Sequence, residues 1–331
     1  MSASIAMPAC AFGTLEGGNL NPEATFQAVQ RALQVGYRHF DCAEMYASTE
    51  AVGRALAEAS ATIPRNQLWI TSKLKGLPCG EYTTIKDRLA AHIAQLGVEC
   101  VDLLLCHWPG EATLDLGGDP EELLPQPTAW QYFTRSVAEA WANMTRLQQD
   151  GLAVHIGVSN FSTACLSELL ALPGGAQVYA HQLYADLAHP PARELVQLHQ
   201  EHRIKAMAYR PISFIPAWPL AVPEVEATLD TAAAALGAKD MHQMGQVALF
   251  LQGTVDALVT SSVQEDHLGS NFAAKQVAER IASLDDPACA VVLAAVEKAV
   301  SQLQANLEVV EVYGGVDPWG VAFMCLGPEP L

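Results

Sequence analysis

Four polar residues with complementary acid–base chemistry follow apolar segments in the first third of the chain: Asp41, Tyr46, Lys73 and His107. A tyrosine is a poor acid at neutral pH, because its ordinary pKa is about 10. A neighbouring lysine ammonium stabilises the phenolate, and a carboxylate behind that lysine keeps the ammonium charged and in place. Asp41, Lys73 and Tyr46 therefore form a candidate proton relay, in which His107 can orient a carbonyl oxygen by a hydrogen bond.

This set of residues suits protonation of an oxygen atom while another group delivers hydride to carbon. The eight cysteines are scattered, with no CxxC pair and no His–Cys ligand spacing, so the sequence indicates no metal site. We therefore expect an organic hydride donor.

Three of the four residues are the last residues of segments that we predict to be buried β-strands. Asp41 ends 36–41, Lys73 ends 68–73, and His107 ends the nearly continuous apolar run 101–107. Runs of this kind are typical of parallel strands that are covered on both faces. Further strands are predicted at 7–14, 154–158, 177–182, 204–209 and 257–260.

Helical apolar periodicity alternates with these strands at intervals of roughly thirty residues, which indicates βαβ units and a parallel sheet. Eight strands favour a closed barrel over an open doubly wound sheet, which would carry GxGxxG after its first strand. The turn at 13–18 reads GTLEGG and does not match. We predict an α/β fold: a (β/α)8 TIM barrel, one domain over residues 1–331, with a C-terminal helix and tail at about 286–331.

A barrel of parallel strands brings all the carboxyl ends of its strands to one rim, where the active sites of such barrels lie. The polar residues predicted at that rim are Asp41, Lys73, His107, Asn160, Gln182, Tyr209 and Ser262.

The composition of the chain limits the classes of molecule that it is expected to bind. The chain has 331 residues, of which 50% are hydrophobic, and a formal net charge of −18. Nucleic acids and anionic membrane surfaces bind clustered cations, so neither is an expected partner. Scattered cysteines in apolar runs suit a reducing compartment, and the N-terminus lacks the basic region of a signal peptide. We expect a cytoplasmic protein without a membrane span.

The segment 36–46, reading GYRHFDCAEMY, resembles the first signature of the aldo-keto reductase superfamily when taken with Val52 and Gly53. Segments 69–73, 103–109 and 141–161 match that family in order and spacing, and the resemblance covers nearly the whole chain. It implies a nicotinamide-dependent oxidoreductase that reduces aldehydes or ketones to alcohols, on a TIM barrel that is a monomer.

The resemblance also implies a role for each candidate residue. Tyr46 would be the general acid, Lys73 and Asp41 would tune it, and His107 would position the substrate carbonyl. The implied contacts to the nicotinamide half of the cofactor are Ser159, Asn160, Gln182 and Tyr209, with Thr14 and Asp41 beside the ribose. The implied contacts at the adenosine end are Ser262, Val263 and Asn271.

Several positions depart from the family pattern. The family's Ile-Pro-Lys-Ser segment is Val-Thr-Ser-Ser at 259–262, so Ser261 replaces the lysine that meets the 2′-phosphate, and His267 replaces an arginine. Loss of two permanent charges weakens recognition of a phosphate. NADP(H) is the cofactor that the family implies, and NAD(H) or dual use stays open. Leu15 replaces a tryptophan, and Arg210 replaces a serine, where it is a candidate to approach a phosphate or an acidic substrate.

A second function stays open beside the reductase. The altered phosphate segment and an unusual tail also suit a cofactor-binding regulatory or sensor protein with weak catalysis, in the manner of potassium-channel β subunits. For a reductase, substrate choice is expected to lie with three segments over the rim: 110–133, 211–223 and the tail after about 308. Aromatic residues of that tail can line an apolar pocket, namely Tyr313, Trp319 and Phe323.

Overall fold

A computed structural model describes residues 5–15, 22–109, 127–187, 189–212 and 223–307. Eight parallel strands pair in chain order and close into a barrel, because β8 pairs with β1. The predicted (β/α)8 barrel is therefore confirmed. The strands are β1 (Cys10–Gly13), β2 (His39–Asp41), β3 (Trp69–Leu74), β4 (Val101–Cys106), β5 (Ala153–Ser159), β6 (Val178–Tyr184), β7 (Lys205–Tyr209) and β8 (Ala257–Thr260).

Ten described helices connect and cover these strands. They are α1 (Pro22–Val35), α2 (Thr49–Ala59), α3 (Tyr82–Leu96), α4 (Pro127–Gln149), α5 (Thr163–Leu170), α6 (Arg193–His202), α7 (Pro223–Leu236), α8 (Met241–Gln252), α9 (Glu265–Ala282) and α10 (Pro287–Leu307). Side chains satisfy the free amides at two helix starts, since Ser162 caps α5 and Asp240 caps α8. None of the described helices is long and apolar enough to cross a bilayer.

The strands alternate side chains between two layers of core. In β4, Leu103 and Leu105 belong to the cluster inside the barrel, whereas Leu104 belongs to the cluster between strands and helices. This two-sided burial explains why β4 reads as a nearly continuous apolar run rather than as an alternating one. At Gly157 of β5, an added Cβ would lie 2.2 Å from the Ala180 carbonyl oxygen, so this close strand contact requires glycine.

The structure corrects parts of the loop prediction. Helix α4 begins at Pro127, inside the segment 110–133 that was expected to be loop, because proline suits the first position of a helix. Helix α7 likewise begins at Pro223, the last residue of the predicted loop 211–223. The tail after 308, with Tyr313, Trp319 and Phe323, lies outside the described residues.

Candidate active site

The centre of the rim is a buried ion pair between neighbouring strands. Asp41 ends β2 and Lys73 lies near the end of β3; both side chains are almost fully buried. The Lys73 Nζ donates to Asp41 Oδ2 at 2.6 Å, to the Cys42 carbonyl oxygen at 3.1 Å and to the Tyr46 hydroxyl at 3.3 Å. The register of β2 and β3 produces this arrangement, since Asp41 pairs with Thr71 and Lys73 follows two residues later on the same strand face.

The electrostatics of this pair keep the lysine charged. Burial by itself lowers the pKa of Lys73, but the Asp41 carboxylate and the Tyr46 hydroxyl outweigh it and raise that pKa to about 12. The ammonium is therefore a fixed positive charge beside the phenol throughout the neutral range.

The pKa of Tyr46 is not lowered, although the sequence led us to expect a more acidic phenol. Burial raises the pKa of Tyr46, and the Lys73 ammonium opposes this only in part. The phenol therefore retains its proton at neutral pH in the structure as it stands. The ammonium at 3.3 Å still stabilises the phenolate once the proton has left.

The loop that carries Tyr46 is anchored by Glu44, which the sequence did not single out. Arg88 of α3 donates to both Glu44 carboxylate oxygens, at 2.8 and 2.6 Å, and the Lys75 amide donates to one of them at 3.1 Å. The bidentate geometry fixes the loop against α3 and limits the positions that the Tyr46 hydroxyl can take.

His107 follows β4 on the same rim. Its ring meets the Tyr46 ring edge-on, with centroids 6.0 Å apart. Burial first, and then the Lys73 charge, hold the pKa of His107 well below its usual 6.5, so the imidazole is neutral. Its Nδ1 atom is buried and has no hydrogen-bond partner among the described residues.

Asn160 connects three strand ends. Its side-chain amide donates to the His107 carbonyl oxygen at 2.9 Å and to the Ser159 hydroxyl at 3.1 Å, and its oxygen accepts from the Tyr209 hydroxyl at 2.8 Å. Asn160 also has a left-handed φ of 61°, and Arg210, which follows β7, has one of 53°. Non-glycine residues in this region are often found at functional sites.

Gln182 of β6 reaches across the barrel to the central ion pair. Its amide nitrogen donates to Asp41 Oδ1 at 2.7 Å, so both oxygens of the carboxylate are held. The family resemblance implies a cofactor contact for Gln182 but does not indicate this bond.

Two buried histidines, His181 and His199, form a hydrogen-bonded pair next to Phe161, just after the end of β5. The amide of Phe161 donates to Nε2 of His181, so His181 carries its proton on Nδ1 and donates to Nε2 of His199 at 2.9 Å. The sequence did not indicate this pair, because His181 and His199 belong to two different elements, β6 and α6.

The residues assigned to the outer part of the cofactor are more open. Ser261 and His267 are exposed, Val263 is 41% exposed, and Ser262 accepts a hydrogen bond from the amide of Gln264. Asn271 is buried instead, with its side-chain oxygen accepting from Gln246 at 2.6 Å.

A cavity of about 270 Å³ lies between the ends of β1 and β8 and the first turns of α1. Gly13 and Thr14 line it from β1, and the segment 261–264 lines it from β8. The Thr14 hydroxyl donates to the Asp41 carbonyl oxygen at 2.9 Å, so the cavity adjoins the central ion pair. Among the described residues, no group of three or more histidines, cysteines or carboxylates could hold a metal ion.

The structure thus brings Asp41, Tyr46, Lys73 and His107 into one cluster, in which Tyr46 is half-buried and the other three are buried. Of the other predicted rim residues, Asn160, Gln182 and Tyr209 are hydrogen-bonded around that cluster, and Ser262 lines the cavity. Asn271, an implied adenosine-end contact, lies in the contact between α8 and α9. Thr25, a buried residue of α1 that lines the cavity, carried no sequence signal because it lies in an ordinary amphipathic helix.

Comparison with known proteins finds relatives of this chain in one family. A profile of the Aldo/keto reductase family matches residues 9–216, about two thirds of the chain. An aldo/keto reductase of Synechocystis is 33% identical over 197 residues, which cover 58% of this chain and 53% of that protein. A rat protein, aldo-keto reductase family 1 member A1, is 31% identical over 216 residues, 62% of each chain. The chain therefore matches less than two thirds of the length of these relatives.

A similar fold occurs in the crystal structure of a Bombyx mori aldo-keto reductase in complex with NADP. The two structures have a TM-score of 0.70 at 24% sequence identity, over 90% of this chain and 89% of that one. At this identity the likeness concerns the barrel fold.

Proposed function

Because the chain belongs to the aldo/keto reductase family, we propose that it is a nicotinamide-dependent oxidoreductase that reduces aldehydes or ketones to alcohols. The observation that carries this proposal is the contact of the buried Lys73 ammonium with both the Asp41 carboxylate and the Tyr46 hydroxyl. An ion pair in this position supports a phenol that gives up a proton, which is the acid that carbonyl reduction needs.

The rim has room and polar groups for the cofactor. Polar residues line the cavity between β1 and β8, among them Thr14, Ser261 and Ser262. Such groups fit a ribose or phosphate better than an apolar ligand. The residues that would hold the nicotinamide half are Ser159, Asn160, Gln182 and Tyr209; Thr14, Ser262 and Val263 would hold the outer part.

When bound, a nicotinamide would be the source of hydride for the carbonyl carbon of the substrate. Tyr46 donates its proton to the carbonyl oxygen, and Lys73 stabilises the phenolate that remains. Asp41 keeps Lys73 charged and in place, and Gln182 holds Asp41. Neutral His107 donates a hydrogen bond that orients the carbonyl oxygen beside the phenol.

The test replaces Tyr46 with phenylalanine. Removal of a general acid lowers rate by roughly 10²–10⁴-fold, so Tyr46→Phe should lower kcat for a panel of aldehydes and ketones by that factor. The readout is oxidation of NADPH or NADH at 340 nm. Tyr179→Phe is the matched control, because Tyr179 lies at the opposite end of β6 beside His155.

Full turnover in Tyr46→Phe would reject Tyr46 as the acid. If the wild-type protein binds the reduced cofactor but oxidises it with none of the carbonyls, the cofactor-binding sensor function replaces the reductase.

A further inference from the structure

An ion pair beside the rim holds the loop between β2 and α2, which carries Tyr46. Arg88 of α3 donates through Nε and Nη2 to the two carboxylate oxygens of Glu44, at 2.8 and 2.6 Å. Glu44 precedes Tyr46 by two residues, and its Oε2 atom also accepts from the Lys75 amide at 3.1 Å. The Glu44 carboxylate therefore joins three parts of the chain: the loop, the segment after β3 and α3.

The contacts of Tyr46 inside the cluster do not by themselves fix its hydroxyl. The hydroxyl lies 3.3 Å from the Lys73 Nζ, the longest of the three hydrogen bonds that this ammonium donates. The Tyr46 side chain is half-buried, and its ring meets His107 edge-on. A bond longer than the roughly 2.7–3.2 Å of ordinary N–H···O bonds is weak, so the position of the phenol depends on how the loop itself is held.

Backbone bonds hold this loop on two sides. The Glu44 amide donates to the Lys73 carbonyl oxygen at 3.0 Å, and the Tyr46 amide donates to the Ala43 carbonyl oxygen at 3.0 Å. The Thr49 hydroxyl donates to the Tyr46 carbonyl oxygen at 3.0 Å. These bonds attach the loop to β3 and to the start of α2, and the Glu44 side chain adds the attachment to α3.

The pair of Arg88 and Glu44 is suited to fix a geometry rather than to stabilise the fold. Burial by itself raises the pKa of the Glu44 carboxyl, but the Arg88 guanidinium and the Lys75 amide outweigh it, so that pKa is lowered and the carboxylate stays charged. The side chains of Arg88 and Glu44 are 43% and 20% exposed, and exposed ion pairs contribute little to stability. The planar fork of the guanidinium nevertheless fixes the direction of the carboxylate as well as its distance.

We propose that Arg88 and Glu44 are positioning residues for proton transfer: the clamp that they form holds the Tyr46 hydroxyl beside the Lys73 ammonium, where it protonates the carbonyl oxygen. This inference rests on the proposed function, because it takes Tyr46 as the acid. A displacement of about 1 Å in a reacting group can cost roughly 10²-fold in rate. Loss of the clamp should therefore lower kcat without a comparable change in KM.

The first experiment measures kcat and KM for a panel of aldehydes and ketones at saturating NADPH or NADH. Arg88→Met keeps most of the apolar stem and loses both hydrogen bonds, so it should lower kcat roughly 10–100-fold. KM should change by less than about threefold, because the clamp does not touch the substrate. Arg88→Lys keeps the charge without the fork and should give a kcat between those of wild type and Arg88→Met, which keeps the test decisive if Arg88→Met does not fold.

Lys86→Met is the matched control for Arg88→Met. Lys86 lies on the same helix, is also 43% exposed and donates to Asp150 at 2.7 Å, but Asp150 follows α4 and is not part of the Tyr46 loop. Lys86→Met should lower the melting temperature about as much as Arg88→Met does and leave kcat within about twofold of wild type. Equal losses of kcat in the two variants would mean a general loosening of α3 and would overturn the inference.

A double-mutant cycle shows whether the clamp acts through Tyr46. In Tyr46→Phe no phenol hydroxyl is left to position, so adding Arg88→Met should change kcat by less than about twofold. If Arg88→Met lowers kcat in this background as much as in the wild type, the clamp acts on another part of the site and the inference is wrong.

Fluorine NMR tests the clamp without catalysis. A fluorotyrosine incorporated at position 46 reports the surroundings of the ring. Arg88→Met and Glu44→Gln should shift and broaden its resonance, because the ring then samples more than one position, whereas Lys86→Met should keep the wild-type spectrum. An unchanged spectrum in Arg88→Met would show that the loop places the phenol without the clamp, which would also overturn the inference.

The outcomes separate this inference from the proposed function. If Tyr46→Phe loses activity as expected and Arg88→Met does not, the inference alone fails. If Tyr46→Phe keeps full turnover, Tyr46 is not the acid, and the inference fails with that assignment. If wild type oxidises the reduced cofactor with none of the carbonyls, the proposed function fails, and the fluorine spectra still decide whether the clamp positions the phenol.

Discussion

The two halves of the rim are built on different principles. In the half proposed to be catalytic, around Asp41 and Lys73, these two side chains are almost fully buried and hydrogen bonds involve six strand ends. In the half proposed to hold the adenosine end of the cofactor (the adenosine half, segment 261–267), most side chains are exposed. Proton transfer requires groups that are held at fixed distances in a site of low dielectric constant, whereas a cofactor's outer end must enter and leave. We therefore expect function to depend on geometry in the first half and on net charge in the second.

The largest expected effect concerns the buried histidines, which support the barrel wall and the catalytic half. They are His39, His92, His107, His181 and His199. Burial lowers the pKa of each, to about 4 for His39, His92 and His199 and well below the usual 6.5 for His107 and His181. An unfolded chain binds these protons near pH 6.5, so stability is fully present above that pH and is lost as pH falls toward 4.

Each such histidine contributes a slope of roughly 1.4 kcal/mol per pH unit, and a domain is stable by only about 5–15 kcal/mol. We expect unfolding near pH 5, followed by far-UV circular dichroism and by urea midpoints across pH. A His181→Asn, His199→Leu variant keeps an acceptor for Phe161 and should unfold at lower pH. Constant stability between pH 7.5 and 4.5 would show that these histidines titrate normally.

The second prediction compares the loss of stability when a buried cation is removed with the loss when an exposed cation is removed. Lys73→Met leaves the Asp41 carboxylate buried with Gln182 as its remaining side-chain donor, and should lower the free energy of unfolding by about 3–5 kcal/mol. Arg31→Met in the adenosine half removes an exposed hydrogen bond and should cost less than about 1 kcal/mol.

Urea denaturation at pH 7 measures both changes. The double variant Asp41→Asn, Lys73→Met removes the uncompensated charge and should recover much of the loss. Equal costs for Lys73→Met and Arg31→Met would contradict the proposed difference between the two halves.

The smallest expected effect is a change in NADPH affinity when two substitutions restore positive charge to the adenosine half. Ser261→Lys with His267→Arg should tighten NADPH binding about tenfold, since both positions are exposed and such pairs contribute about 1 kcal/mol or less each. The Kd for NADH and the value of kcat should stay within about threefold of wild type. A wild-type preference for NADPH beyond about a hundredfold would mean that other groups already bind the phosphate.

The sequence predicted the barrel and the candidate cluster for a common reason. Apolar runs mark strands that are buried on both faces, and a parallel barrel brings every strand end to one rim. Asp41, Lys73 and His107 could therefore be grouped without coordinates. Loop boundaries were less predictable, since the start of α4 at Pro127 depends on how the chain returns to the barrel.

By itself, the sequence determined strand order, the side chains at strand ends and the lost positive charges at Ser261 and His267. Only the tertiary structure decided which partners those side chains take. The bond from Gln182 to Asp41 spans 141 residues of chain, and burial in the folded chain raises the pKa of Tyr46. Hydrogen bonds and desolvation depend on ångström distances between distant segments, whereas strand patterns depend on the order of neighbouring residues.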